Sequence, residues 1–481
     1  MDKYKGKYIV FGVFLFSIII YGLFMVPHFS HDSYFIHGNL YEHIIQSSTL
    51  GRPLMSILTF IFMKLNYDLI SNQVVLTAVS TFIHALAVYI LYRTCKDITQ
   101  NKLLLLVGCY FVVFNLYAVE MYYFSFMLPF TSIAVILLVL AARLCADLSI
   151  QNFIVSVLLV SSSLLLYQGW GALYIPLSFL LLFLSTQGKI TRQSLFSTFK
   201  IVMVYLLASI INLIYMKIIH PLIYERVSAR TGESVNIIAN IKTIGDSIDD
   251  MFVTSFNILP KHLYLLILVS LVIILIILNV RKTISLLVYF GVIISLIVMS
   301  LIPHVITSTV WIVPRSIMGL GALPGMLIIM LCISRVDLKF KLERILKLLA
   351  VFFIILYSVN INKLASDTLK TNAIDREIAL VIHSYIEKYE KETSQVVTKI
   401  AVRNDNNPTW CYEGIKCYGD YNTRSLVTFA APKLINYYTQ GNYLLVDYDE
   451  SMDSGEEKKD WNVFSEEQIK IVGDTAFVTM Y

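Results

Sequence analysis

Residues 28–53 read HFSHDSYFIHGNLYEHIIQSSTLGRP, and this polar break directly follows the first hydrophobic segment of the chain. It contains two acids, Asp32 and Glu42, and one arginine, Arg52. It also contains four of the nine histidines, namely His28, His31, His37 and His43. Most of the next three hundred or so residues are apolar. A short loop rich in ionisable and aromatic groups, at the mouth of a helical bundle, is where we expect the functional site.

The composition identifies the class of protein. Hydrophobic residues make up 57% of the 481 residues, charged residues only 15%, and the mean hydropathy is +0.70. Because soluble proteins carry about 25% charged residues, these values predict an all-α membrane protein that crosses the lipid bilayer many times. The net charge of +5 is small, and basic residues cluster at the ends of apolar segments. This pattern argues against nucleic-acid binding.

Eleven apolar segments are long enough to cross a bilayer, since a helix of about 20 residues spans the hydrocarbon core. We predict transmembrane helices at residues 8–27, 74–92, 103–119, 126–146, 152–168, 170–187, 200–219, 263–280, 284–303, 316–334 and 346–363. The first follows the basic sequence MDKYKGK and precedes no small-residue cleavage site, which indicates a retained signal anchor. The shorter segment 54–63 is predicted to be an interfacial helix, with a re-entrant segment as the alternative.

Lysines and arginines in the short turns predict the orientation, because cytoplasmic loops are enriched in them. With a cytoplasmic N-terminus, each predicted cytoplasmic turn carries Lys or Arg, whereas the turns near Glu120 and Gly169–Trp170 on the opposite side carry none. An odd number of spans then places the C-terminus outside the cytoplasm. Three outward segments are long enough to build a site: 28–73, 221–262 and 304–319.

From about Ser366 the composition becomes that of a soluble domain. We therefore predict a membrane domain at 1–365 and a small extracytoplasmic α/β domain at 366–481. Its predicted elements are an amphipathic helix at 371–390, a strand at 394–404, a helix at 425–440 that contains Pro432, and strands at 443–448 and 469–481. Cys411 and Cys417 lie in a polar loop of this domain, and an extracytoplasmic location favours a local disulfide between them.

Asp32 and Glu42 are the candidate catalytic acids. Asp32, in the sequence HDSYF, lies just beyond the outer end of the first predicted helix. A carboxylate that is partly desolvated at a membrane surface is a stronger base and can accept a proton from an attacking hydroxyl. The structural alternative for Asp32 is a loop cap or a solvated side chain. Glu42 can take the same role or orient substrate hydroxyl groups.

Four arginines are candidates for binding a phosphate, because a guanidinium group is planar and donates parallel hydrogen bonds. Arg52 lies in a Gly-Arg-Pro sequence, whose neighbours restrict the backbone on both sides. Arg315 precedes a predicted membrane helix in VWIVPRSIMGLGALPG. Arg226 and Arg230 are four residues apart and share a face if their loop is helical. An interfacial anchor or a solvated face is the structural alternative for each.

Neither a nucleotide-binding loop nor a metal site is predicted. Gly319, Gly321 and Gly325 do not fit the G-x-G-x-x-G pattern and are predicted to allow close helix packing. The histidines of residues 28–53 have irregular spacing, which disfavours a metal site. We therefore expect no cofactor, with a divalent metal left open.

The chain resembles the serotype-converting O-antigen glucosyltransferases, the GtrII-like family within the GT-C class of membrane glycosyltransferases. The resemblance covers the layout of almost the whole chain. Its residues are three short motifs: HDSYF around Asp32, LGRPL around Arg52 and PRSIMG around Arg315. Such proteins commonly carry two adjacent acids at the first position, whereas here His31 precedes Asp32, so Glu42 stays open as the base.

The resemblance implies a transferase in the bacterial inner membrane that takes glucose from undecaprenyl-phosphate glucose at the periplasmic leaflet. The implied acceptor is a sugar of the O-antigen of lipopolysaccharide. A phosphate leaving group already carries negative charge well, so one carboxylate suffices, in contrast to the two acids of a glycosidase. The implied roles are Asp32 as the base of an inverting single displacement, with Arg315 and Arg52 as phosphate ligands.

Two other functions are alternatives. An O-antigen polymerase or ligase usually has its large periplasmic loop in mid-chain, whereas here the largest outer region is terminal. A flippase or other carrier of lipid-linked sugars is expected to bury ionisable residues near the bilayer midplane. In this sequence the ionisable groups gather at the ends of the spans, which favours a surface-facing active site.

Overall fold

A computed structural model describes residues 2–480 except 38, 98, 100, 145–148, 187–190, 225–234, 280–282, 309, 334–339, 404–410, 428–429 and 450–463. The described chain is mostly helical and has one small sheet. The α-helices are α1 (Asp2–Tyr21), α2 (His31–Ile36), α3 (Leu40–Thr49), α4 (Pro53–Lys64), α5 (Gln73–Cys95), α6 (Lys102–Val113), α7 (Val119–Tyr123), α8 (Leu128–Leu144), α9 (Ile150–Leu166), α10 (Tyr174–Ser185), α11 (Arg192–Ile214), α12 (His220–Tyr224), α13 (Ile237–Asp246), α14 (Leu263–Asn279), α15 (Thr283–Val305), α16 (Met318–Gly321), α17 (Leu323–Ile333), α18 (Phe340–Thr393) and α19 (Ala431–Thr439).

Each of the eleven predicted membrane segments coincides with a helix or with two consecutive helices. Within the described residues, six helices are long and apolar enough to be candidate membrane spans: Gly6–Met25, Gln73–Cys95, Gln168–Ser185, Arg192–Tyr224, Ser285–Val305 and Leu346–Thr393. A seventh is added if Lys102–Val113 and Leu116–Tyr123, which are bent by 44°, form one span. The structure therefore supports a helical membrane protein, and the total of eleven spans stays a prediction.

The chain divides into two compact units. The first unit contains residues Met1–Val26 and Leu40–Asn362, and the second contains Pro27–Asn39 and Lys363–Tyr481. The long helix α18 belongs to the first unit up to Asn362 and to the second unit from Lys363 onward. The segment that carries Asp32 thus belongs to the unit formed by the C-terminal residues, although it lies near the start of the chain.

Glycines let helices α6 and α17 of the first unit approach closely. A Cβ atom on Gly325 would lie 2.5 Å from the backbone nitrogen of Val112 and 2.6 Å from the carbonyl oxygen of Gly108. A Cβ atom on Gly108 would in turn lie 3.1 Å from the carbonyl oxygen of Gly325. Small residues that allow backbone contact are a common basis of helix packing in membranes. The prediction that Gly325 serves helix packing is confirmed.

The second unit contains a four-stranded sheet with the strand order β2-β1-β4-β3. The strands are β1 (Lys399–Arg403), β2 (Leu444–Leu445), β3 (Ile469–Val472) and β4 (Thr475–Thr479). Strand β1 is parallel to both β2 and β4, whereas β3 and β4 form an antiparallel hairpin. Apolar residues of β1, of α19 and of the C-terminal half of α18 form the core of this unit, among them Ile382, Ile386, Ile400, Leu434 and Ile435. The strands predicted at 394–404 and 443–448 are present in shorter form, whereas the predicted strand at 469–481 is a hairpin of two strands.

Two helices of the second unit differ from the sequence prediction. The amphipathic stretch 371–390 is not a separate helix, because α18 continues without a break from the last apolar segment to Thr393. The helix predicted at 425–440 begins only at Ala431 and places Pro432 in its first turn. Proline lacks a backbone N–H and is tolerated there because the first turn has no intrahelical acceptor for that group.

Buried carboxylates of α18 hold the loop that carries the two cysteines. Asp375 is fully buried, and it accepts hydrogen bonds from Tyr412 Oη at 2.7 Å and from the backbone N–H of Ser425 at 3.0 Å. Cys411 and Cys417 are joined by a disulfide in the structure, with their Cα atoms 6.0 Å apart. The loop is thus attached to α18 and closed on itself.

We predict that Gly325→Ala lowers the stability of the protein by about 1–3 kcal/mol, because the new methyl group must displace the backbone of α6. The measurement is thermal unfolding in detergent, followed by tryptophan fluorescence. Gly291→Ala is the matched control, since Gly291 lies in α15 and a Cβ atom there has no neighbour within 4 Å. Equal unfolding temperatures for the two variants would contradict the close contact between α6 and α17.

Candidate active site

A buried ion pair joins two interruptions of the helices in the first unit. Glu120 lies in the short helix α7, and Arg315 lies in a 3-10 turn at Pro314–Ser316. The side chain of Glu120 is fully buried, and that of Arg315 is 13% exposed. Arg315 Nη1 donates to Glu120 Oε1, and the backbone N–H of Arg315 donates to Glu120 Oε2 at 2.6 Å. Both carboxylate oxygens are therefore engaged by one residue.

Two aromatic rings also contact the guanidinium group of Arg315. Its Cζ atom lies 4.6 Å from the ring centroid of Phe124 and 4.8 Å from that of Trp311. Guanidinium groups are attracted to the faces of aromatic rings, most strongly to tryptophan. The rings and Glu120 together hold the Arg315 side chain in one orientation.

The backbone around Arg52 is fixed by its neighbours. Gly51 has a φ of +76°, a conformation that side-chain-bearing residues rarely adopt. The carbonyl oxygen of Gly51 accepts hydrogen bonds from Gln168 Nε2 and Asn212 Nδ2, both at 2.9 Å. Pro53 is the first residue of α4. Glycine and proline therefore shape the chain on either side of Arg52, and α4 begins directly after it.

Tyr167 connects Arg52 with Arg315. The guanidinium Cζ atom of Arg52 lies 4.5 Å from the ring centroid of Tyr167, and Arg52 Nε donates to Gln168 Oε1 at 3.1 Å. Tyr167 Oη donates to the carbonyl oxygen of Arg315 at 3.4 Å. We call Arg52, Glu120, Tyr167, Gln168 and Arg315 the arginine cluster. Two guanidinium groups and one carboxylate give it a net positive charge, which suits an anionic ligand such as a phosphate.

His43 is the histidine of residues 28–53 that lies close enough to Arg52 to respond to its charge. Its side chain is buried in α3 and makes an edge contact with the ring of Phe126, with the centroids 5.4 Å apart. Burial, together with the positive charge of Arg52, lowers the pKa of His43 to about 4. The imidazole is therefore neutral at neutral pH and adds no charge next to Arg52.

Asp32 lies in the second unit, in the first turn of α2. Its side chain is 30% exposed, and Asp32 Oδ1 lies 3.6 Å from His31 Nε2. The same nitrogen of His31 lies 3.9 Å from Asp420 Oδ1. Ser30 is the N-cap residue of α2, and its Oγ atom accepts a hydrogen bond from the backbone N–H of Ser33 at 3.2 Å. The Ser33 side chain in turn accepts a hydrogen bond from the backbone N–H of Ser30. The carboxylate of Asp32 is thus partly open to solvent and has a histidine on one side.

The structure brings two of the predicted site residues together and assigns the two candidate acids to different units. Arg52 and Arg315 share the arginine cluster of the first unit. Asp32 belongs to the second unit, whereas Glu42 lies in the first turn of α3 in the first unit. The predicted residues Arg226 and Arg230 lie outside the described residues. No group of three or more metal-ligating side chains occurs within the part of the chain that the structure describes.

Among the residues of these arrangements, Glu120, Tyr167, Gln168 and Asp420 were not predicted as site residues. The sequence does contain a signal for Glu120, because it is the single acid between residues 103 and 146. An ionisable residue inside an apolar segment is rare and usually has a partner. Tyr167, Gln168 and Asp420 have no comparable signal, since the first two are uncharged and Asp420 lies in a polar loop.

Comparison with known proteins places the chain beside one family of membrane enzymes. A family model described as "Glucosyl transferase GtrII" matches residues 21–332, which is more than half of the chain. No curated protein sequence and no solved structure matches the chain. The matched range includes Asp32 and the whole arginine cluster, and it ends before α18 and the C-terminal part of the second unit.

We predict that Glu120→Ala destabilises the protein by about 3–5 kcal/mol, because it leaves the charge of Arg315 buried without its partner. The double variant Glu120→Ala with Arg315→Met is expected to be more stable than Glu120→Ala alone, since it removes both charges. Thermal unfolding in detergent measures the difference. Asp246→Ala, at an exposed position of α13, is the control and should leave stability near that of the parent. If the double variant is less stable than Glu120→Ala, the ion pair is not the dominant interaction of Glu120.

Proposed function

Because the chain belongs to the GtrII glucosyl transferase family, we propose that it is a membrane glucosyltransferase that modifies O-antigen on the periplasmic side of the bacterial inner membrane. The proposed donor is a polyprenyl-phosphate sugar, undecaprenyl-phosphate glucose, and the acceptor is a sugar of the O-antigen of lipopolysaccharide. No nucleotide-sugar pool exists outside the cytoplasm, so an activated sugar must arrive there on a lipid.

The arginine cluster is the observation that supports this donor class best. A polyprenyl-phosphate sugar has an anionic headgroup and an apolar tail, so its site needs a fixed cation within an apolar environment. Arg315 and Arg52 are both oriented by aromatic rings and polar neighbours within an apolar bundle. A guanidinium group carries five N–H donors in a planar fork, so the arginine side chain is suited to bind more than one oxygen.

The origin of the cluster residues supports the proposed side of the membrane. Arg52 comes from the segment 28–73, Glu120 from a turn without Lys or Arg, and Arg315 from the segment 304–319. Gln168 adjoins the turn at Gly169–Trp170. The distribution of Lys and Arg predicts that all of these segments lie on the extracytoplasmic side of the membrane. In the structure, Arg52 contacts Gln168 and Glu120 contacts Arg315, and Tyr167 links the two pairs. Their proximity supports the shared side.

The proposed reaction is an inverting single displacement. The hydroxyl group of the acceptor gives its proton to the carboxylate of Asp32 while its oxygen forms a bond to C1 of the glucosyl residue. The bond between C1 and the phosphate oxygen breaks, and its electron pair leaves with the polyprenyl phosphate. Arg315 and Arg52 stabilise the negative charge that gathers on the leaving phosphate. No general acid is required, because a phosphate is a good leaving group.

Asp32 is a better candidate for the base than Glu120. The oxygens of Glu120 are both hydrogen-bonded to Arg315, and its side chain is fully buried. With both oxygens occupied and the side chain enclosed, this carboxylate is not accessible to an acceptor hydroxyl group. Asp32 is partly exposed and contacts His31 through Oδ1. Glu42 remains the alternative base.

We predict that Asp32→Asn lowers the rate of glucosyl transfer by about 100-fold or more, the range expected when a general base is removed. The assay follows labelled hexose from polyprenyl-phosphate glucose into lipopolysaccharide, with the abundance of each variant in the membrane measured in parallel. Asp246→Asn, which removes an exposed carboxylate of α13, is the control. If Asp32→Asn is fully active and Glu42→Gln is inactive, Asp32 is not the base, and Glu42 is assigned that role instead.

We predict that Arg52→Gln raises the KM for the polyprenyl-phosphate donor more than it lowers kcat, because a phosphate ligand acts on the bound donor as well as on the transition state. Lys64→Gln is the matched control: it also removes one positive charge, but at the exposed C-terminal end of α4. Steady-state kinetics at varied donor concentration measures both constants. An unchanged donor KM in Arg52→Gln would exclude a role of Arg52 in binding the phosphate.

A further inference from the structure

The segment that carries Asp32 is fastened within the second unit by side chains from the C-terminal part of the chain. The backbone N–H of Phe29 donates to Asn372 Oδ1 at 2.7 Å, and Asn372 Nδ2 donates to the carbonyl oxygen of Phe29 at 2.8 Å. Tyr34 and Tyr438 share a hydrogen bond between their hydroxyl groups at 2.9 Å. The Asn372 side chain thus binds both the N–H and the carbonyl group of Phe29, three positions before Asp32. The hydrogen bond between Tyr34 and Tyr438 attaches helix α2 two positions after Asp32.

One nitrogen of His31 faces two carboxylates of the same unit. Its Nε2 atom lies 3.6 Å from Asp32 Oδ1 and 3.9 Å from Asp420 Oδ1. Asp420 is 18% exposed at its side chain, and His31 is 9% exposed. Asp420 lies in the loop that follows the disulfide between Cys411 and Cys417 and precedes Ser425, which is bound by Asp375. The position of Asp420 is therefore set by the fold of the C-terminal loop.

We propose that Asp420 is a positioning residue for Asp32 and that it acts through His31. The inference rests on the proposed role of Asp32 as the base. Asp420 Oδ1 and Asp32 Oδ1 both face the Nε2 atom of His31, so Asp420 keeps the imidazole turned with Nε2 toward the Asp32 carboxylate. The Asp32 carboxylate is then held in one rotamer, and Oδ2 is the oxygen that receives the proton of the acceptor hydroxyl.

A positioning role fits the physical demands of the site. A base must lie within hydrogen-bond reach of the proton that it accepts, and a displacement of about 1 Å can reduce a rate by about 100-fold. Asp32 is partly exposed and lies in a helix of six residues, so its side chain needs further contacts to stay in place. His31 supplies such a contact, and Asp420 orients His31.

The inference concerns a part of the chain outside the family match. The match covers residues 21–332, and it therefore includes His31 and Asp32 but neither Asn372 nor Asp420. The C-terminal part of the second unit accordingly has a role in catalysis, which is to set the geometry of a base that the family region contributes.

The test compares Asp420→Asn with the parent in steady-state kinetics, at varied donor and varied acceptor concentration. We expect kcat to fall by up to about 100-fold while the donor KM stays unchanged. Asp420→Glu, which keeps the charge, should recover part of the activity. Glu413→Gln is the matched control, since it removes an exposed acid of the same loop. Equal kcat values for Asp420→Asn and the parent would overturn the proposal.

A second comparison shows whether Asp420 acts through His31. If it does, the double variant His31→Gln with Asp420→Asn has the same kcat as His31→Gln alone, because the contact is already lost. If instead the fold-reductions in kcat of the two single variants multiply in the double variant, Asp420 acts independently of His31, and this result would overturn the proposal. Asp32→Asn, assayed in parallel, separates the two hypotheses. Activity in Asp32→Asn refutes the proposed base, whereas an inactive Asp32→Asn beside a fully active Asp420→Asn refutes only the role of Asp420.

Discussion

The burial of charge is the constraint on which the first unit depends. Glu120 is completely enclosed, and its two oxygens are bound by the guanidinium group and the backbone N–H of Arg315. An isolated charge in such a place would be strongly unfavourable, so each residue requires the other. The pair therefore ties α7, which follows a bend in the chain, to the 3-10 turn before α16. Since both segments are interruptions of helices, their backbone groups also need partners, and the hydrogen bond from Arg315 supplies one of them.

The other members of the arginine cluster extend this arrangement. Tyr167 bonds to the carbonyl oxygen of Arg315 and lies under the guanidinium group of Arg52, while Gln168 bonds to Arg52 and to the carbonyl oxygen of Gly51. Two cations are in this way held in fixed orientations by a small set of rings and amides. Preorganised charges of this kind stabilise a developing negative charge without having to reorganise during the reaction. The proposed function uses this property for the leaving phosphate.

The second unit has a different physical basis. Its core is formed by a mixed sheet and by the apolar faces of α18 and α19, and its polar loop is attached to buried carboxylates of α18. Residues Pro27–Asn39 join this unit although they lie more than three hundred residues earlier in the chain. The polar segment with the candidate base is consequently part of the C-terminal fold. The proposed role of Asp420 follows from this assignment.

The sequence by itself determined the class of protein, the approximate positions of most helices and strands, and the family. These features depend on local properties, namely the length of apolar segments, the alternation of residues in strands and short motifs such as LGRPL, all of which are readable within a few residues. It also indicated Arg52 and Arg315 as candidates, because arginine is rare in apolar surroundings. Only the tertiary structure decided that Glu120 is the partner of Arg315, which is 195 residues away, and that Asp32 belongs with Asp420. It also showed that α18 is one continuous helix. Contacts between residues so distant along the chain arise from packing, and no local pattern encodes them.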